Sequence, residues 1–69
     1  MPPVALNSSL IATAAYSPAA VLTLRFTSGT TYRYFAVPKA LFDALCAAPS
    51  AGAFFNVNIK DRYPYTRGS

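Results

Sequence analysis

Between residues 21 and 26 apolar and polar positions alternate, with Leu22, Leu24 and Phe26 on one side and Val21, Thr23 and Arg25 on the other. A period of two is that of a half-buried β-strand. A second alternating run spans 30–36, and Ser28 and Gly29 separate the two, so the pair reads as a β-hairpin. Loop length decides which side chains share a face. A two-residue loop at Ser28-Gly29 pairs Leu24 with Arg33 and sets that arginine among apolar neighbours. A three-residue loop, Thr27-Ser28-Gly29, places Gly29 at the left-handed position of a G1-bulge turn. Leu24 then faces Tyr32, Leu22 faces Tyr34, Arg25 faces Thr31 and Thr23 faces Arg33. A slip of one residue turns every side chain over, so burial of one face selects the three-residue loop.

Residues 10–16 predict a strand before this hairpin. Strict alternation sets Ile11, Thr13 and Ala15 on one face and Leu10, Ala12, Ala14 and Tyr16 on the other. Ser17-Pro18 signals the turn between them. As the first of three strands, 10–16 is the expected open edge. Pro38 suits a first helical position, where its missing N–H costs nothing. A helix follows over 39–48, with Leu41, Leu45 and Ala48 in one stripe and Phe42 beside it. Pro49 stops it. Ser50 is a candidate N-cap for a second, short helix at 51–58, which buries Phe54 or Phe55 against Ile59. Pro64 makes 60–65 irregular. Residues 1–8 read as a loosely ordered N-terminus, 9–65 as the domain and 66–69 as a tail. The expected fold is α+β: a small three-stranded antiparallel β-meander, one α-helix and a second short helix. Its core comprises Leu22, Leu24, Phe26, Tyr32, Tyr34, Leu41 and Leu45.

Composition narrows how such a fold holds together. A chain of 69 residues makes one domain and buries only about 60% of its unfolded surface. Cys46 is the single cysteine and histidine is absent, so neither an internal disulfide nor a structural zinc site is expected. Stability must come from the apolar core, to which five tyrosines and five phenylalanines contribute. Charge is sparse and one-sided: Arg25, Arg33, Lys39, Lys60, Arg62 and Arg67 against Asp43 and Asp61, a net +4. That balance favours polyanions or an acidic protein surface as partner.

The same inventory argues against catalysis. General acid–base chemistry needs a titratable group tuned towards neutral pH. Asp43 belongs on an exposed helix face, and Asp61 lies between Lys60 and Arg62. Cys46 has no histidine to activate it and reads as a small buried thiol. The glycines lack phosphate-loop spacing. No enzyme, cofactor or metal site is expected. No stretch reaches the roughly 20 apolar residues of a membrane span, and the start lacks a secretory signal, so the expected location is the cytoplasm, with no membrane partner.

Three features offer binding chemistry. Arg25 and Arg33, with Thr23 and Thr31, form either a cationic patch or an ordinary solvated sheet face. Tyr32 and Tyr34 either stack on bases or fill the core, and the chosen register favours the core. In 50–67, Ser50 and Gly52 open a helix whose N–H groups attract anions. Beyond them Lys60, Arg62 and Arg67 interleave with Tyr63 and Tyr65, a mixture suited to single-stranded nucleic acid. The alternative there is that the tyrosines pack back on the sheet.

Taken in order, the chain reads: a strand with Tyr16; Leu22-x-Leu24-x-Phe26-x-x-Gly29-x-x-Tyr32-x-Tyr34; Val37-Pro38; a helix; Ser50-x-Gly52; Phe55-Asn56; Ile59; and a basic, tyrosine-containing tail. This order resembles the KTSC domain family, named for a domain at the C-terminus of some lysyl-tRNA synthetases and found also as stand-alone small bacterial and phage proteins. The resemblance runs from about Ser9 to Tyr65, and the family's central Tyr-x-Tyr falls on Tyr32 and Tyr34. It implies RNA binding, from the synthetase context. The leading expectation is a non-catalytic module that binds RNA or single-stranded nucleic acid weakly through Arg25, Arg33, Lys60, Arg62 and Arg67. The rival is a protein-interaction module, such as a small phage or bacterial regulator docking on a host protein, motivated by the high apolar fraction. The chain is expected to be a monomer or a weak homodimer.

Overall fold

A computed structural model of the chain describes residues 4–6 and 8–68. Five antiparallel strands form one sheet in sequence order: β1 (Val4–Ala5), β2 (Ile11–Ser17), β3 (Val21–Phe26), β4 (Thr31–Tyr34) and β5 (Tyr65–Gly68). Two helices, α1 (Lys39–Ala47) and α2 (Ala51–Asn58), lie between β4 and β5 in the chain.

The hairpin β3–β4 has the three-residue loop. Leu22 pairs with Tyr34, Thr23 with Arg33, Leu24 with Tyr32 and Arg25 with Thr31. Gly29 takes φ +95°, which glycine adopts without a Cβ penalty. The Phe26 N–H donates to the Thr30 carbonyl at 2.9 Å and the Gly29 N–H to the Phe26 carbonyl at 2.9 Å, closing the loop. Leu22 and Leu24 are wholly buried and Tyr34 nearly so, whereas Arg25 and Arg33 are exposed.

The α+β class holds, but the sheet has five strands where the pattern showed three. Val4–Ala5 lies in the stretch read as a loose N-terminus and pairs with Thr13 and Ala14. Tyr65–Gly68 includes most of the stretch read as a tail and pairs with all of β4. Neither strand carries a periodic signal, because each is short and its pairing is supplied by the neighbour's free edge. Residues 1–3, 7 and 69, also within those two stretches, lie outside the described residues. With β1 in place, 10–16 is an interior strand and not the edge; the edges are β1 and β5.

The faces of β2 also differ from strict alternation. Ile11 pairs with Phe26 and Thr13 with Arg25, so Ala12 is an extra residue, a β-bulge. The bulge sends Ile11 to the same side as Ala14 and Tyr16, and all three are buried. Alternation alone had put Ile11 with Thr13 and Ala15.

Both helices cover this inner face. The core joins Ile11, Ala14, Tyr16, Leu22, Leu24 and Tyr34 from the sheet to Phe42, Leu45, Ala51, Phe55 and Ile59 from the helical layer. Pro38 precedes α1 at the N-cap, one position earlier than expected, and Ala48, before Pro49, turns to extended backbone and ends the helix. Of the expected core, Phe26, Tyr32 and Leu41 are partly buried and packed against it. The link from β4 to α1 is fastened to the β2–β3 turn. The Val37 N–H donates to the Ala20 carbonyl at 2.9 Å, and the Tyr16 hydroxyl donates to the Val37 carbonyl at 2.6 Å. The backbone of this buried residue is thus satisfied on both sides. Ala20 and Ala36 hold left-handed φ values of +64° and +59°, where a Cβ costs about 1–2 kcal/mol per residue.

Candidate functional site

The outer face of the sheet is uncovered. Across β2, β3, β4 and β5 one row reads Thr13, Arg25, Thr31, Gly68 and the next reads Ala15, Thr23, Arg33, Thr66. Arg25 and Arg33 are therefore diagonal neighbours on adjacent strands, a separation of about 7–8 Å, somewhat less at Cβ. Small and threonine side chains surround them and leave both guanidinium groups standing in solvent. No acid lies on this face: Asp43 is on α1 and Asp61 follows α2. Among the described residues the ion pair is Lys39 with Asp43 at 3.2 Å, both exposed, and no acidic side chain neutralises either arginine.

The inner face is different where the helices stop short of β4 and β5. Tyr34, Tyr32 and Tyr65 stand together there, with ring centroids 6.3 Å apart for Tyr32–Tyr34, 5.6 Å for Tyr32–Tyr65 and 5.5 Å for Tyr34–Tyr65. Phe26 meets Tyr32 edge-on at 5.4 Å, and Phe55 meets Tyr34 at 5.7 Å. These rings line a hollow of about 460 Å³ whose polar lining includes Asn56, Lys60 and Asp61. Burial pushes the Tyr34 phenol up to about 12, with Tyr32, Tyr65 and Asp61 adding to the shift. The hydroxyl stays neutral at physiological pH. A second hollow adjoins the first through Ser28 and Thr30 and contains Gly29, Arg67 and Gly68.

The expected binding residues thus divide between two surfaces. Arg25 and Arg33 come together on the outer face. Arg67 pairs with Tyr32, so it lies on the inner side of the β5 edge. Lys60 and Arg62 belong to the turn after α2, where the Arg62 N–H donates to the Ile59 carbonyl at 3.0 Å and Asp61 takes φ +62°, a conformation that aspartate tolerates better than most residues. Tyr65 is 54% exposed at the mouth of the first hollow. Tyr63 is half-buried against the core, as the packing alternative had it. Ser50 accepts the Ala53 N–H at 3.3 Å and so serves as the helix cap. Gly52 is buried, and a Cβ there meets the Ser8 hydroxyl oxygen at 3.3 Å and Leu10 at 3.4 Å. That glycine lets α2 approach the loop before β2, and its backbone is covered by that loop. Cys46 is half-buried, and burial, then Asp43, pushes its thiol up, away from the reactive thiolate. Sequence reading missed Tyr32, Asn56 and Asp61 as pocket lining. The Tyr-x-Tyr spacing gave the shared face, but not where the helical cover ends.

A family model described as KTSC domain matches residues 7–63. The chain belongs to the KTSC family. A protein of Tsukamurella paurometabola is 50% identical over 58 residues, covering 83% of this chain and 87% of that one. A lysine–tRNA ligase of a Nostoc species is 40% identical over 60 residues, which is 86% of this chain and 11% of the ligase. The crystal structure of a KTSC domain protein from Yersinia pestis superposes with a TM-score of 0.93 at 28% identity, covering 99% of this chain and 97% of that one. This KTSC chain therefore matches small proteins along nearly their whole length and lysine–tRNA ligases over about a tenth of theirs. The match carries no catalytic family with it. Among the described residues no helix is long and apolar enough to cross a membrane.

Proposed function

We propose that this KTSC domain is a non-catalytic RNA-binding module whose outer sheet face grips the phosphate backbone. The observation that carries the reading is the placement of Arg25 and Arg33 as diagonal neighbours on a face with no acidic side chain among the described residues. A guanidinium without a carboxylate partner offers its N–H fork to phosphate oxygens. Thr23 and Thr31, beside them in the register, add hydroxyl donors. The likeness to part of a lysine–tRNA ligase supports RNA as the polyanion. Lys60, Arg62 and Arg67 extend the positive surface around the β5 edge.

Fluorescence anisotropy with labelled tRNA and single-stranded RNA tests this. Binding at low salt is expected to weaken with added salt, by about 0.7 log units per phosphate contact for each tenfold rise in salt with single strands. Replacing both Arg25 and Arg33 by alanine lowers affinity and flattens that slope. Absence of binding to either RNA at low salt overturns the proposal.

A further inference from the structure

The helix-side hollow has features that a backbone grip on the other face does not use. Its walls are aromatic, its rim is polar, and the adjoining hollow is cationic. Tyr65 leaves more than half of its surface in solvent at the mouth. Behind it Tyr32 is half-buried and Tyr34, nearly buried, forms the floor, the three rings touching with centroids 5.5 to 6.3 Å apart. A volume of about 460 Å³ lies in the roughly 300–1,000 Å³ range of small-ligand pockets.

The lining decides what kind of ligand fits. A lipid chain would leave Asn56, Lys60 and Asp61 facing apolar atoms, which costs their hydration. A cation would be drawn to the tyrosine faces, but Lys60 in the wall and Arg67 next door oppose it. A flat heterocycle with hydrogen-bonding edges satisfies both demands. Its faces stack on tyrosine. Its edge meets the Asn56 amide, which donates and accepts, and the Asp61 carboxylate, which accepts. An anionic group attached to that ring reaches Arg67 in the second hollow, where Ser28 and Thr30 supply hydroxyls. A planar base joined through a sugar to a phosphate is a nucleotide.

We infer that this double hollow is a nucleotide site: one base lies against the exposed Tyr65 and the half-buried Tyr32, above Tyr34, and its phosphate lies by Arg67. The inference deepens the RNA-binding reading by assigning a base-holding pocket on the face opposite Arg25 and Arg33. The same chemistry is offered by a free mononucleotide and by one flipped-out residue of an RNA strand, so both serve as probes.

The test is an NMR titration of the full chain with AMP, with ribose 5-phosphate and with an oligomer of five adenosines at low salt. Shifts for AMP and the oligomer at Tyr32, Tyr65 and Arg67, and none for ribose 5-phosphate, are the expected result. Tyr65→Ala lowers the affinity for AMP and oligomer roughly tenfold, and Tyr65→Phe, which keeps the ring, restores it. Because Tyr65 is largely exposed, both variants retain the amide spectrum of the folded chain. Oligomer binding that ignores Tyr65→Ala overturns the nucleotide site and leaves the RNA reading standing. AMP binding without oligomer binding assigns the site to a free mononucleotide. Failure of both probes at low salt overturns the nucleotide site, and the tRNA titration decides the RNA reading separately.

Discussion

The two faces of the sheet are made by alternate residues of the same strands, so nothing in the backbone distinguishes them. The inner face carries Leu22, Leu24, Tyr16 and Tyr34 beneath two helices. The outer face carries Thr13, Thr23, Arg25, Thr31 and Arg33 and has no cover. The difference separates two duties that a domain of 69 residues has little room to separate. Stability resides inside, where burial of large side chains contributes about 1.5–3 kcal/mol each. Charge resides outside, where it is cheap to hold and cheap to change. The inner face is itself unequal: sealed at β2 and β3 and over Tyr34, but open at Tyr32 and Tyr65, beside which the hollow lies.

Substitutions sharpen this contrast. Leu24→Ala is expected to destabilise by about 2–5 kcal/mol, while Thr23→Ala, one residue away on the other face, changes stability by less than about 0.5 kcal/mol; urea denaturation measures both. Tyr16→Phe leaves the Val37 carbonyl without its 2.6 Å donor and costs about 1–3 kcal/mol in the same assay. Alkaline pH attacks the inner face through Tyr34. Tyr34 is held neutral up to about 12 in the fold, against about 10 in an unfolded chain. The folded state therefore keeps its proton longer, and the stability this gives is complete below pH 10 and drains away towards pH 12. Thermal midpoints at pH 9 and 11 measure the loss, and Tyr34→Phe flattens the difference. Ala20→Gly relieves a left-handed alanine and raises stability by up to about 1 kcal/mol. At the small end, the double change of Arg25 and Arg33 to alanine moves the denaturation midpoint little while weakening RNA binding. A comparable loss of stability would break the division between the faces.

What the sequence revealed follows from which constraints are local. Gly29 and the need to bury one face determined the hairpin register. Pro49 and Ser50 set the helix boundaries within a residue. The edge strands escaped because their pairing is dictated by β2 and β4, not by their own composition; Tyr65, Thr66 and Arg67 carry no apolar alternation. Of the candidate site, the placement of Arg25 and Arg33 on one face was legible because both lie in one hairpin. The hollow was not, because it joins Phe26, Tyr32, Asn56, Asp61 and Tyr65 across 39 positions of sequence, and only the reach of α2 decides that those rings stay uncapped.

The bulge at Ala12 has a consequence at the level of genes. In most strands a single-codon deletion shifts the phase of all that precedes it and turns buried residues outward. Here the ladder pairs Ile11 and Thr13 with consecutive partners, Phe26 and Arg25. Loss of the Ala12 codon thus shortens the strand and regularises it, and Ile11, Ala14 and Tyr16 keep the sides they had. A chain one residue shorter at this point specifies the same core, so reading frames that differ in length by one codon there encode the same interior.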